Sequence, residues 1–173
     1  GELKLKNKSK LKMNNSIKEF LDGKFNHLDD YEVILNYLEN SYSEIEKMWF
    51  ENLNKIFELK LIILGESPGF GQDKKYIYNL EFKNQTAFLY FKDIEKICLT
   101  QKVIGEIKSK REMISYMNEF GILVLDIFPF ALNGNDTKGI SYKKHSNYFL
   151  SIFNNIFNFH LYNKFKIIFK KFG

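Results

Sequence analysis

The stretch Leu59-Lys60-Leu61-Ile62-Ile63-Leu64-Gly65-Glu66-Ser67-Pro68-Gly69-Phe70-Gly71 decides how this chain is read. Nothing from Leu61 to Leu64 is polar, and a short run of this kind predicts a strand buried on both faces, as in a parallel sheet covered by helices. The run stops at once in a turn where three glycines permit positive φ and Pro68 removes an amide donor. Such a turn places its side chains at the carboxyl edge of the sheet, where α/β folds bind ligands. A second apolar run, Ile122-Leu123-Val124-Leu125-Asp126-Ile127-Phe128, closes on Pro129, the only other proline. The two strand ends carry one acid each, Glu66 and Asp126, and together form the candidate site.

Working outward, Ser16-Ile17-Lys18-Glu19 fits a capping box opening a short helix to about Leu21, ended by Asp22-Gly23. From Asp29 or Asp30 a helical pattern runs to about Phe57, with Ile34, Leu38, Ile45, Trp49, Leu53 and Ile56 as its inward stripe. Ser41-Tyr42-Ser43 with Glu46 offers a cap that would divide it in two. Thr86–Phe91 reads equally as a strand or the start of a helix, and Asp93–Leu99 as a short helix. Ile107–Glu119 reads as a helix that Gly121 ends as a C-cap. Tyr148, Phe149, Ile152, Phe153, Ile156 and Phe157 form a further helical stripe, and Phe165–Phe169 reads as a third strand. Helices alternating with buried strands predict a three-layer α/β/α sandwich with a mostly parallel sheet of three or four strands. Residues 16–173 are expected to form one domain, preceded by a basic, flexible tail at 1–15.

Composition bounds the rest. The chain has 173 residues, 45% of them hydrophobic and 17% aromatic, enough for a packed core. No apolar run approaches the roughly 18 residues of a membrane span and no signal peptide opens the chain, which points to the cytoplasm. The single cysteine, Cys98, excludes an internal disulfide and a cysteine-based zinc site. Neither a metal nor a cofactor is expected, and a monomer is assumed. The net charge of +5 is uneven: residues 1–14 carry five lysines against Glu2, leaving the body near neutral. A lysine tail can hold phosphates non-specifically, but the body adds little electrostatic support for nucleic acid.

Three motifs are excluded at Gly65–Gly71. Gln72 and Asp73 stand where a P-loop needs Lys and Ser/Thr, no Gly-x-Gly-x-x-Gly opens a helix, and Ser67 lies in no Gly-x-Ser-x-Gly elbow.

What Leu61-Ile62-Ile63-Leu64-Gly65-Glu66-Ser67-Pro68-Gly69 does resemble is motif one of the uracil-DNA glycosylase superfamily, in its Gly-Glu-x-Pro-Gly form. Gly121–Asp126 is similar in position to the strand whose last residue, usually Asn, reads the uracil edge. Tyr76-Ile77-Tyr78-Asn79 resembles the segment whose aromatic stacks on the flipped base. The resemblance covers about residues 59–173 and implies recognition, with or without excision, of a base in DNA or in a nucleotide by N-glycosidic hydrolysis. It implies that Glu66 positions water and Asp126 reads the base, as the catalytic pair. Gly65, Ser67, Pro68, Gly69, Tyr78 and Phe88 would contact the substrate, with DNA or a nucleobase as the partner. A flipped base needs a stacking plane and polar groups along its edge, and hydrolysis needs a carboxylate near the sugar.

Two departures keep an alternative open, that of a catalytically inactive nucleobase-, nucleic-acid- or partner-binding module of the same fold. The superfamily's final His-Pro-Ser motif has no counterpart in order within the chain, as though the domain were C-terminally incomplete. Asp126 replaces Asn, and an ionised Asp only accepts hydrogen bonds, so it suits a donor edge such as an amino group. On the bland reading Glu66 is a solvated or N-capping carboxylate, and Asp126 caps the amides of the Phe128–Ala131 turn.

Overall fold

The computed structural model describes residues 12–13, 15–82, 91–101 and 107–173, with the side chains of 91 and 98–101 excepted. The fold is mixed α/β: seven α-helices and two parallel strands stand among the described residues. Helix α1 covers residues 15–22, with 12–13 also helical. It is followed by α2 (Tyr31–Leu53), β1 (Leu61–Gly65), α3 (Phe91–Gln101), α4 (Lys110–Glu119) and β2 (Ile122–Asp126). Helices α5 (Ser146–Ser151) and α6 (Phe153–Ile156) lead through a π-helical turn, Phe157–Leu161, into α7 (Tyr162–Phe172).

Parallel strands require a long crossover, and α3 and α4 lie within it. The strands pair Leu61 with Ile122 through to Gly65 with Asp126, so the two acid-bearing turns leave the sheet side by side. Gly121 sits at φ +73°, and a Cβ there would lie 2.1 Å from the Glu58 carbonyl oxygen, so only glycine ends α4 and starts β2 at this point. Ser109 caps α4 by accepting the Glu112 amide at 3.1 Å, while the Glu112 carboxylate accepts the Lys108 amide at 2.7 Å.

The structure corrects several expectations. Phe165–Phe169 is helical, inside α7, so the sheet has two strands among the described residues. Only β2 is buried, from Ile122 to Leu125; in β1, Leu61 and Leu64 are 42% and 51% exposed. Ser16 is no cap, since its hydroxyl donates to the Lys12 carbonyl at 2.9 Å within a helix already begun. Helix α2 is continuous, Ser41 donating to the Leu38 carbonyl instead of opening a second helix. The tail, apart from residues 12–13 and 15, and Phe88 lie outside the described residues.

Helix α2 joins two apolar clusters. Its first half, Ile34 and Leu38, packs with Ile17, Phe20, Phe130 and Phe149, where Phe20 stacks on Phe130 with ring centroids 4.3 Å apart. Its second half, Ile45, Trp49 and Leu53, packs on Leu123, Leu125, Met113 and Ile168. Trp49 is tied directly to the sheet, its indole N–H donating to the Val124 carbonyl at 3.0 Å. The Val124 amide in turn donates to the Tyr78 hydroxyl at 2.7 Å. Both groups lie on the side of β2 away from β1, where a third strand would otherwise bond.

Removing either partner strands a buried backbone group. Trp49→Phe and Tyr78→Phe are each expected to lower unfolding free energy by about 1–3 kcal/mol in urea titrations. Amide exchange separates the two: Val124 N–H exchange accelerates more in Tyr78→Phe than its stability loss alone explains, and not so in Trp49→Phe.

Candidate functional site

The strand pairing continues into both turns. Ile127 N–H donates to the Gly65 carbonyl at 2.8 Å and Phe128 N–H to the Glu66 carbonyl at 2.9 Å. One phenol then clamps the loops further out. The Tyr37 hydroxyl donates to the Ala131 carbonyl at 2.8 Å, and accepts the Gly71 amide at 3.1 Å and the Asn133 side-chain amide at 3.0 Å. Of the three glycines in the first turn, only Gly71 has positive φ, at +76°. Gly69 is needed for a different reason, since a Cβ there would lie 2.8 Å from the Lys75 carbonyl oxygen.

Between the turns lies a narrow crevice of about 10 Å³, closed by Pro68 and Pro129 and lined by Glu46, Tyr76, Asp126, His160 and Lys164 among others. The two prolines singled out in the sequence thus meet at one place. Burial pushes the Asp126 carboxyl up to about 6, opposed by the positive charge of Lys164. Glu66 points to solvent on the neighbouring turn. Burial pushes the Tyr142 hydroxyl well above its ordinary value, and the charges of Asp126 and Glu66 both push it the same way, so the two carboxylates act on one phenol.

His160, 3% exposed, places Nε2 2.9 Å from the Asp126 carbonyl oxygen. A carbonyl only accepts, so Nε2 carries the proton and the buried Nδ1 is an unbonded acceptor. Burial, then the charge of Lys164, holds His160 well below the usual imidazole range, and it is neutral at pH 7. Lys164 forms an ion pair with Glu46 at 2.5 Å and sits 4.3 Å from the Trp49 ring centroid. The pair is held by charge, its geometry falling outside that of a directed hydrogen bond. The Tyr42 ring meets His160 edge-on with centroids 6.5 Å apart.

The structure therefore brings Gly65, Glu66, Pro68 and Asp126 together, with Ser67 and Gly69 in the same turn. It places Tyr78 elsewhere: 4% exposed and bonded to Val124, it lines a separate groove with Asn52, Asn79 and Arg111. The aromatic side chains at the crevice are Trp49, Tyr76 and Phe128, with Tyr76, itself 3% exposed, edge-to-face with Tyr78 at 5.8 Å. Lys110 fixes this turn from below, its ammonium donating to the carbonyls of Tyr76 and Asn79 at 2.6 Å each, while burial lowers it to about 8. Glu46, His160 and Lys164 escaped the sequence reading. The available signal was the spacing of His160 and Lys164, polar residues four apart on a helical face shared with Ile156 and Ile168.

Among the described residues no cluster of three or more His, Cys, Asp or Glu side chains is placed to hold a metal ion, and no helix is long and apolar enough to cross a membrane. No protein-family profile, no curated protein and no solved structure matches this chain.

Asp126 carries a testable stability signature. Its folded value lies above that of a free carboxyl, so the folded state prefers the protonated form. That stabilisation is complete below about pH 4 and is lost as pH rises through 6. Asp126→Asn, neutral at every pH, is expected to exceed wild type by up to about 3 kcal/mol at pH 8. Urea titrations should show this gap closing near pH 4; a gap that does not change with pH would mean Lys164 compensates the ionised carboxylate.

Proposed function

We propose that this chain is a uracil-DNA-glycosylase-like domain that recognises a base in DNA or in a nucleotide and hydrolyses its N-glycosidic bond. The observation that supports this most is the pairing of Gly65 with Asp126, which delivers two carboxylates to adjacent strand ends beside a proline-walled crevice. In this reading Asp126 accepts from a donor edge of the base once ionised. Solvent-facing Glu66 orients water toward the sugar carbon and stabilises the oxocarbenium-like transition state. The Gly65–Gly69 turn offers backbone amides to the substrate. The same reading includes a fuller sandwich with three or four strands, a monomer, and a cytoplasmic setting. Among the described residues β1 pairs only with β2, which leaves its other edge for further strands.

A second reading has its own support. At about 10 Å³ the crevice admits no base until the Pro68 and Pro129 turns part. A module that binds a base edge without turning it over would keep the Asp126 carboxylate and need no water-activating group.

Oligonucleotides carrying uracil, hypoxanthine or xanthine, single- and double-stranded, separate the readings. Excision is expected to leave alkali-labile abasic sites, to fall at least about 100-fold in Glu66→Ala, and to rise with pH through about 6 as Asp126 ionises. Binding without product, equal in wild type and Glu66→Ala but weakened in Asp126→Asn, would establish the inert module.

A further inference from the structure

The near-neutral body conceals a separation of charge. Residues 137–173 hold seven lysines and no acidic residue, whereas residues 15–136 hold twenty acidic residues against fourteen basic ones. Helix α7 concentrates this basic segment. Its inward face is Lys164 and Ile168, both buried, with Phe165 and Phe172 partly covered. Its outward face carries Tyr162, Lys166, Phe169 and Lys170, residues at i, i+4, i+7 and i+8 that share one stripe. All four are exposed, the rings of Tyr162 and Phe169 by 50% and 65%. Lys166 Nζ stands over one face of the Tyr162 ring, 5.1 Å from its centroid.

Two aromatic planes interleaved with two cations on one face fit a flexible polyanion whose units alternate phosphate and base. We propose that the outward face of α7 binds single-stranded nucleic acid, the lysines neutralising phosphates and the rings stacking on unpaired bases. An anionic membrane fits less well. A helix that lies on lipid turns its apolar face outward, and that face of α7 is already packed against the protein. The surface does not depend on what the crevice does.

Fluorescence anisotropy on the full chain tests this, with a labelled dT12 strand and an abasic strand of equal phosphate number. Wild type is expected to prefer dT12. Tyr162→Ala with Phe169→Ala should weaken dT12 binding about fivefold or more per ring and abolish the preference. Lys166→Gln with Lys170→Gln should weaken both strands and flatten the salt slope by about 1.4. Lys144→Gln, in the same basic segment but off α7, should change neither, and thermal melts confirm that each variant is folded. Unchanged binding in both double variants, or equal affinity for dT12 and the abasic strand, would overturn the proposal. So would capture by phosphatidylserine vesicles, lost in the same variants, without oligonucleotide binding.

Discussion

Among the described residues the outer edge of β2 has no neighbouring strand, and the architecture follows from how its polar groups are satisfied. A buried backbone amide or carbonyl left unpaired costs on the order of 1–3 kcal/mol. Here three side chains supply the partners: Tyr78 for the Val124 amide, Trp49 for the Val124 carbonyl, and His160 for the Asp126 carbonyl. Each comes from a different part of the chain, respectively the loop after β1, helix α2 and the π-helical turn before α7. One strand edge therefore locates three packing elements. It also stops the sheet from growing on that side, while among the described residues no further group bonds β1 along its other edge.

The candidate site inherits that constraint. His160 is beside Asp126 because it completes the strand edge, and Lys164 follows four residues on, between Glu46 and Asp126. Its charge is shared: the close ion pair goes to Glu46, and what remains only partly offsets the burial of Asp126. An Asp126 carboxyl near 6 is the result of that competition. The cluster is correspondingly unlike a surface charge network. Its groups are held by core packing, and its one solvent-facing carboxylate, Glu66, is the one whose proposed task needs water.

Much of this was legible in local sequence. The two apolar runs with their prolines revealed both strands, and Gly121 marked the end of α4, because backbone sterics act over a few residues. Phe165–Phe169 misled because five residues, Phe-Lys-Ile-Ile-Phe, were read alone. Across the longer span Leu161, Phe165, Ile168 and Phe172 recur every three or four residues, the period of a helix. Tyr78 and Tyr76 are equivalent by local pattern; which faces the crevice depends on Val124, forty-six residues away from Tyr78 in sequence. Lys164 and His160 looked like interruptions of an apolar face because their partners, Glu46 and the Asp126 carbonyl, come from elsewhere in the fold. A charge total, likewise, could not show that residues 137–173 carry seven lysines and no acid.

The π-helical turn at Phe157–Leu161 has a consequence for ancestry. Closing a turn over five residues instead of four stores one surplus residue locally, and the flanking helices keep the phase of an uninterrupted helix one residue shorter. Losing that residue would restore a regular helix while Lys164 and Ile168 still faced inward. Descendants of a common precursor could therefore differ here by a single-position gap within an otherwise collinear helix.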